Sequence, residues 1–333
     1  MYICKDCFLD EELRSEINAN AVINGVCDVC GKEGKLMDFS DFHGFFNALL
    51  SLFSLTDNSN KTIVDIIQDE WHIFKDKDVA KILLSDIIST SHLDYSIDTC
   101  VDYTNVAVWD RLKNSVKENS RFFTNMDEFA QYEYLTAGKS LHIGQKLYRS
   151  RVTPIGQKKI KWDKMGCPPK ELTTAGRANP IGIPYLYLSD SAKTTYFEVR
   201  AVYLDKLSVG TFRIEKDLKL IDFVYDVNLF LSYNDGSVPL KETIIKKKVI
   251  EAISSDLSKP LRRYDSEIEY VPTQLICEYC RRIVDSEGAT ADGITFESSL
   301  HKGGRNYVLF DESAAKCIRV DSHEITRIDI DRK

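Results

Sequence analysis

Near residue 141 the hydrophobic pattern of this chain changes period, and that change constrains the fold more than any other feature. From Asp38 to about Ser140, apolar residues recur at i, i+3 and i+4. Phe42, Phe45, Phe46, Leu49 and Phe53 form one stripe, Ile63, Ile66, Ile67 and Trp71 a second, and Val79, Ile82, Leu83 and Ile87 a third. Such spacing lines one face of a helix. No proline interrupts the stretch, so residues 36–140 read as an antiparallel helical bundle with short polar loops such as Asp57 to Lys61. Beyond it, Leu147–Val152, Tyr185–Leu188, Gly210–Ile214, Leu218–Phe223 and Asn306–Phe310 read as short strands by their β-branched and aromatic content. Helical patterns fall between them, at Ala192–Asp205, Leu240–Ser254 and Thr273–Val284. Strands and helices that do not alternate regularly predict an α+β architecture for 141–333, not a doubly wound sheet.

At 333 residues and 43% hydrophobic content the chain is long enough for two or three compact units. Its formal charge of −7 is spread over both signs without a long basic block, which argues against sequence-independent nucleic-acid binding as the main activity. The most apolar run, Gly44 to Leu55, is broken by Asn47, Ser51 and Ser54 and is too short for a membrane span of about 20 apolar residues. The N-terminus carries Cys4, Lys5, Asp6 and Cys7 where a secretory signal needs an apolar run. A cytoplasmic protein is therefore expected, with its nine cysteines reduced or bound to metal.

Two Cys-x2-Cys pairs, Cys4/Cys7 and Cys27/Cys30, organise residues 1–35, with nineteen residues between them. Four thiolates at that spacing suit one tetrahedral zinc ion in a knuckle, and a closed shell of four cysteines makes the zinc structural, not catalytic. Gly31 suits the tight turn after the second pair, and Leu13 and Ile17 mark a short helix between the pairs. The alternative is a redox or disulfide arrangement of the same four thiols. A third pair, Cys277/Cys280, has no partner pair nearby and reads as helix packing. Lys246, Lys247 and Lys248 read as a solvated helix face.

The second half also carries an ordered series of polar residues in distinctive settings. Arg149 lies in Leu-Tyr-Arg, Arg177 in Gly-Arg-Ala-Asn-Pro, Tyr187 in Tyr-Leu-Tyr-Leu, and Glu198 in Thr-Thr-Tyr-Phe-Glu-Val. Ser298 follows in Gly-Ile-Thr-Phe-Glu-Ser-Ser, just before Gly-Gly-Arg-Asn-Tyr-Val-Leu-Phe. In order and setting, residues 145 to 311 resemble a RES domain. The resemblance implies a split-sheet core similar to that of ADP-ribosyltransferases, NAD as substrate, and a toxin or phage-defence effector restrained by an antitoxin or other regulatory partner. It further implies that Arg149 and Arg177 bind NAD, where a planar guanidinium fork suits phosphate oxygens. Glu198 is the expected catalytic carboxylate, stabilising the cationic ribosyl group. Tyr187, with Tyr148 as the weaker candidate, is expected to stack on nicotinamide or bond the ribose. Ser298, with Ser299 as its understudy, is expected to bond ribose or phosphate.

Residues 1–140 resemble more loosely the HEPN-like region fused to some RES domains, through Asp10 to Ile17 and Ser120 to Phe123. Neither Arg111 nor Arg121 has a histidine four to six residues beyond it, and His43, His72 and His92 read as surface or core residues, so no RNase is expected. Many RES domains carry Trp where this chain has Ala178, and the stretch from Lys158 to Glu171 is long, which leaves open whether water, phosphate or a protein accepts ADP-ribose. A zinc-containing binding module with an inactive enzyme domain is the remaining alternative. Homo-oligomerisation is compatible with the sequence.

Overall fold

The computed structural model describes residues 1–55, 61–88, 97–99, 107–127, 129, 135, 137–224, 227–259, 267–284 and 288–327. Residues 57–60 of the expected loop and His92 lie outside them. The chain divides into two compact units: Met1–Val106 with Asp226–Lys247, and Ala107–Tyr225 with Lys248–Lys333. The described residues form an α+β protein.

In the first unit, β1 (Tyr2–Ile3), β2 (Ile23–Val26) and β3 (Glu33–Asp38) make an antiparallel sheet in the order β1-β3-β2. Helix α1 (Glu11–Asn20) begins at Asp10, whose carboxylate accepts from the amides of Glu12 and Leu13, and it buries Leu13 and Ile17 as their spacing predicts. Helix α2 (His43–Leu50) stops before Phe53, which opens strand β4 (Phe53–Leu55), so the first apolar stripe is helical only in part. Helix α3 (Ile63–Trp71) starts at a Thr62/Asp65 capping box, and α4 (Lys77–Ser85) at Asp76. In α4, Val79 and Leu83 are buried as expected, but Ile82 is exposed. β4 pairs with β5 (Ile97–Thr99), a pairing that the helical periodicity did not foreshadow. Phe230 packs edge-on against Phe42 and Phe45, at 5.7 and 5.3 Å between ring centres.

The second unit opens with α5 (Val108–Asn114) and contains one eight-stranded sheet. Its strands are β6 (Ala137–Leu141), β7 (Lys146–Val152), β8 (Leu186–Ser189), β9 (Lys206–Ile214), β10 (Leu218–Asp222), β11 (Gly293–Glu297), β12 (Arg305–Leu309) and β13 (Ala315–Glu324), in the order β13-β9-β7-β8-β12-β11-β10-β6. Among the described residues of this sheet only β10 and β11 run parallel. Whereas β7 pairs with β9 over seven residues, it meets β8 through Tyr148 and Ser189 alone. The sheet is therefore split between β7 and β8. On one face Leu147, Leu186, Leu188, Phe212 and Leu309 join a single apolar core. Helix α6 (Ala192–Glu198) follows β8 and is shorter than its apolar pattern predicts: Arg200 takes a left-handed φ of 50° and breaks it. Helices α7 (Leu229–Asp235), α8 (Leu240–Ser258) and α9 (Val271–Cys280) complete the fold, and the boundary between the units falls within α8. Among the described residues no helix is long and apolar enough to cross a membrane.

Candidate active site

A cavity of about 380 Å³ opens beside the split, lined by Tyr148, Arg149, Arg177, Tyr187, Glu198, Ser299 and Asn306 among others. Because Tyr148 and Ser189 are register partners, as are Ser189 and Asn306, their side chains share one face of the sheet. Helix α6 is fixed to that face by a short hydrogen bond between Ser150 and Thr195 hydroxyls. The strand that carries Arg149 and the helix that carries Glu198 are thus tied together.

Glu198 is the last residue of α6, where the helix presents unpaired carbonyls and the negative end of its dipole. A carboxylate there needs donors from elsewhere. The Ser298 hydroxyl donates to Oε1 at 2.6 Å, and the Asn306 amide donates to the same oxygen at 2.8 Å. Ser298 is buried, also accepts from the His301 amide at 3.2 Å, and does not line the cavity, whereas Ser299 does. Ser298 accordingly touches the carboxylate, and Ser299 is the serine open to a ligand.

The two arginines differ. Arg149 lines the cavity, yet its Nη1 is buried with no hydrogen-bond partner. Burial, with Arg151 adding repulsion, brings its pKa down to about 10, against the attraction of Cys167, Glu312 and Tyr187. A buried unpaired donor is costly unless a ligand supplies the acceptor. Arg177 donates from Nη1 to the Leu257 carbonyl at 2.6 Å, at the C-terminal end of α8. Its pKa is lowered by burial, opposed by Tyr270 and Glu198. One of its five donors is thus anchored, which aims the guanidinium.

Tyr187 accepts from the Ala178 amide at 3.0 Å and donates to Asn179 Oδ1 at 2.8 Å, and burial raises its pKa. Its hydroxyl therefore clamps the loop that carries Arg177, and the residue also lines the cavity. Gly176 permits the clamp: a Cβ there would stand 2.5 Å from Asn179 Oδ1 and 2.9 Å from the Tyr187 oxygen. Gln274 completes it, donating to the carbonyls of Gly176 and Asn179. Sequence reasoning did not single out Asn179, Gln274 or Asn306. For Asn306 the signal was present, a polar residue in a strand whose next three residues, Tyr307, Val308 and Leu309, are apolar and buried with it.

In the first unit the Sγ atoms of Cys4, Cys7, Cys27 and Cys30 all lie within 4.8 Å of one another. Cys4 and Cys30 are 3.4 Å apart and Cys7 and Cys27 3.6 Å, near the ~3.8 Å edge of a tetrahedron with Zn–S bonds of about 2.3 Å. All four are free thiols, so the disulfide alternative is not what this geometry holds. Burial pushes Cys4 up to about 11; Cys27, despite burial, is brought down to about 7 by backbone N–H groups of Cys30 and Val29. The donor set fits a zinc ion. Cys277 and Cys280 are fully buried in α9, as the packing reading expects.

Compared with known proteins, residues 147–330 match a family model described as the RES domain. No curated protein matches, and neither does any solved structure.

Proposed function

The chain belongs to the RES domain family, whose model covers more than half of it, and from that membership we propose that it degrades NAD at the nicotinamide–ribose bond, as a glycohydrolase or phosphorylase. The observation that carries this reading is the meeting of Arg149, Arg177 and Glu198 around one cavity. In this reading the two guanidinium groups hold the pyrophosphate. Tyr187 and Tyr148 offer ring faces to the nicotinamide. As the bond breaks, its electron pair leaves with nicotinamide, which becomes neutral, and positive charge develops on the ribosyl carbon. Glu198 faces that charge. Water or phosphate then bonds to the carbon and loses a proton, giving ADP-ribose or its 1-phosphate. Consumption of NAD makes the protein a toxin or a phage-defence effector, restrained by a partner or by residues 1–140. The four N-terminal cysteines hold a structural zinc.

Transfer of ADP-ribose to a protein is the competing reading. Many protein-modifying transferases place an acceptor-orienting Glu or Gln two residues before the catalytic Glu. Here that residue is Tyr196, whose hydroxyl is bonded to His323 Nδ1 at 2.6 Å and which does not line the cavity. That engagement favours a small acceptor. NAD labelled in its adenine ring separates the two: label recovered as free ADP-ribose or its phosphate supports the proposal. Label retained on protein supports transfer, and absence of nicotinamide release contradicts both.

A further inference from the structure

We propose that Asn306 is a positioning residue for Glu198, the inner member of a donor chain that runs from Ser189 through the amide to the carboxylate. Ser189 donates to Asn306 Oδ1 at 2.8 Å, and Asn306 Nδ2 donates to Glu198 Oε1 at 2.8 Å. Direction in this chain is set by its end. An ionised carboxylate only accepts, so the amide presents its NH2 group there and its oxygen to Ser189. Asn306 and Ser189 are register partners on adjacent strands, and both are buried, so rigid backbone holds the chain in line.

Ser298 bonds the same oxygen from the loop after β11. Two donors converging on Oε1 fix the carboxylate at the helix end and leave Oε2 for the substrate. Asn306 thereby acts through Glu198: it selects which oxygen meets the developing cation.

The activity part of this inference rests on the catalytic reading of Glu198; its stability part does not. Asparagine and aspartate have the same shape, but an ionised aspartate cannot donate, so Asn306→Asp separates a donor role from packing. The account predicts that N306D lowers kcat on the order of 10- to 100-fold while KM for NAD stays within about 2-fold. It also predicts a fall in Tm of about 5 °C, because two carboxylates then face each other. Combining it with Glu198→Gln restores a donor–acceptor pair of reversed polarity, with the Ser298 hydroxyl, which can donate or accept, turning to accept from the new amide. N306D in the E198Q background should therefore change Tm by less than about 2 °C, with activity still absent. Parental kcat and Tm in N306D overturn the proposal, as does an equal Tm loss in both backgrounds. If the parent protein releases no nicotinamide, the catalytic reading falls, and the Tm cycle still decides whether Asn306 serves the Glu198 carboxylate.

Discussion

Arg149 carries a desolvation cost in the free protein at neutral pH. Its folded pKa of about 10 lies below the 12.5 of an unperturbed arginine, so the unfolded chain holds that proton more tightly. The penalty is full below about pH 10 and is relieved as pH rises past it, a difference on the order of 3 kcal/mol. Arg149→Met is therefore expected to raise the Tm of the ligand-free protein by about 4 °C or more while abolishing the Tm rise that NAD gives the parent. Scanning calorimetry with and without NAD checks both halves, and a lower Tm for the variant opposes the account. Tyr187→Phe keeps the ring and removes the two hydrogen bonds that clamp the 176–180 loop. The expected result is a KM for NAD raised about 10-fold, from a loss on the order of 1.4 kcal/mol, with the fold retained by circular dichroism. The sequence identified the motif around Arg177 but not this clamp, because the partners of a tyrosine hydroxyl leave no mark on its neighbours in the chain.

Strand and helix positions were legible where one local rule decided them. β7 and β8 follow from β-branched and aromatic runs, and α1 from its cap and two buried residues. The stop of α6 at Glu198 was not legible, since apolar residues continue to Leu204 and only the left-handed backbone at Arg200 ends the helix. Strands β4, β5 and β6 escaped because pairing with a distant segment outweighed short-range pattern. At α3 the Lys77 ammonium, with the amide and hydroxyl of Thr62, holds the Asp65 carboxyl down at about 2, below the usual 3.8. Its depressed folded pKa contributes stability that is present above about pH 4 and lost as pH falls through 2. Asp65→Asn should cost about 1 kcal/mol at pH 7 and much less near pH 2, read from urea unfolding at both values, with the exposed Lys77 pair adding little. For the cysteine cluster, a chelator is expected to release one zinc per chain and lower the Tm. Cys27→Ser should purify without the metal.

At the scale of the molecule, the two compact units are not two successive stretches of chain. Residues Asp226–Lys247 group with Met1–Val106, while Ala107–Tyr225 groups with the cavity. That exchange was not legible in the sequence, since the packing of Phe230 on Phe42 and Phe45 is long-range. A deletion of residues 1–140 would remove β6, which pairs with β10, and would strip the partners of Phe230. Such a fragment should aggregate. A fragment that begins at residue 107 and replaces 226–247 with a short linker should stay monodisperse on gel filtration. If residues 1–106 restrain the enzyme, its toxicity in cells should exceed that of the full chain. The central claim concerns the cavity itself, and the most direct measurement is nicotinamide release from NAD by purified full-length protein beside Glu198→Gln. The account predicts steady release by the parent and a loss on the order of 100-fold or more in the variant, which still binds NAD. Release by the variant at the parental rate, or none by the parent, would contradict it.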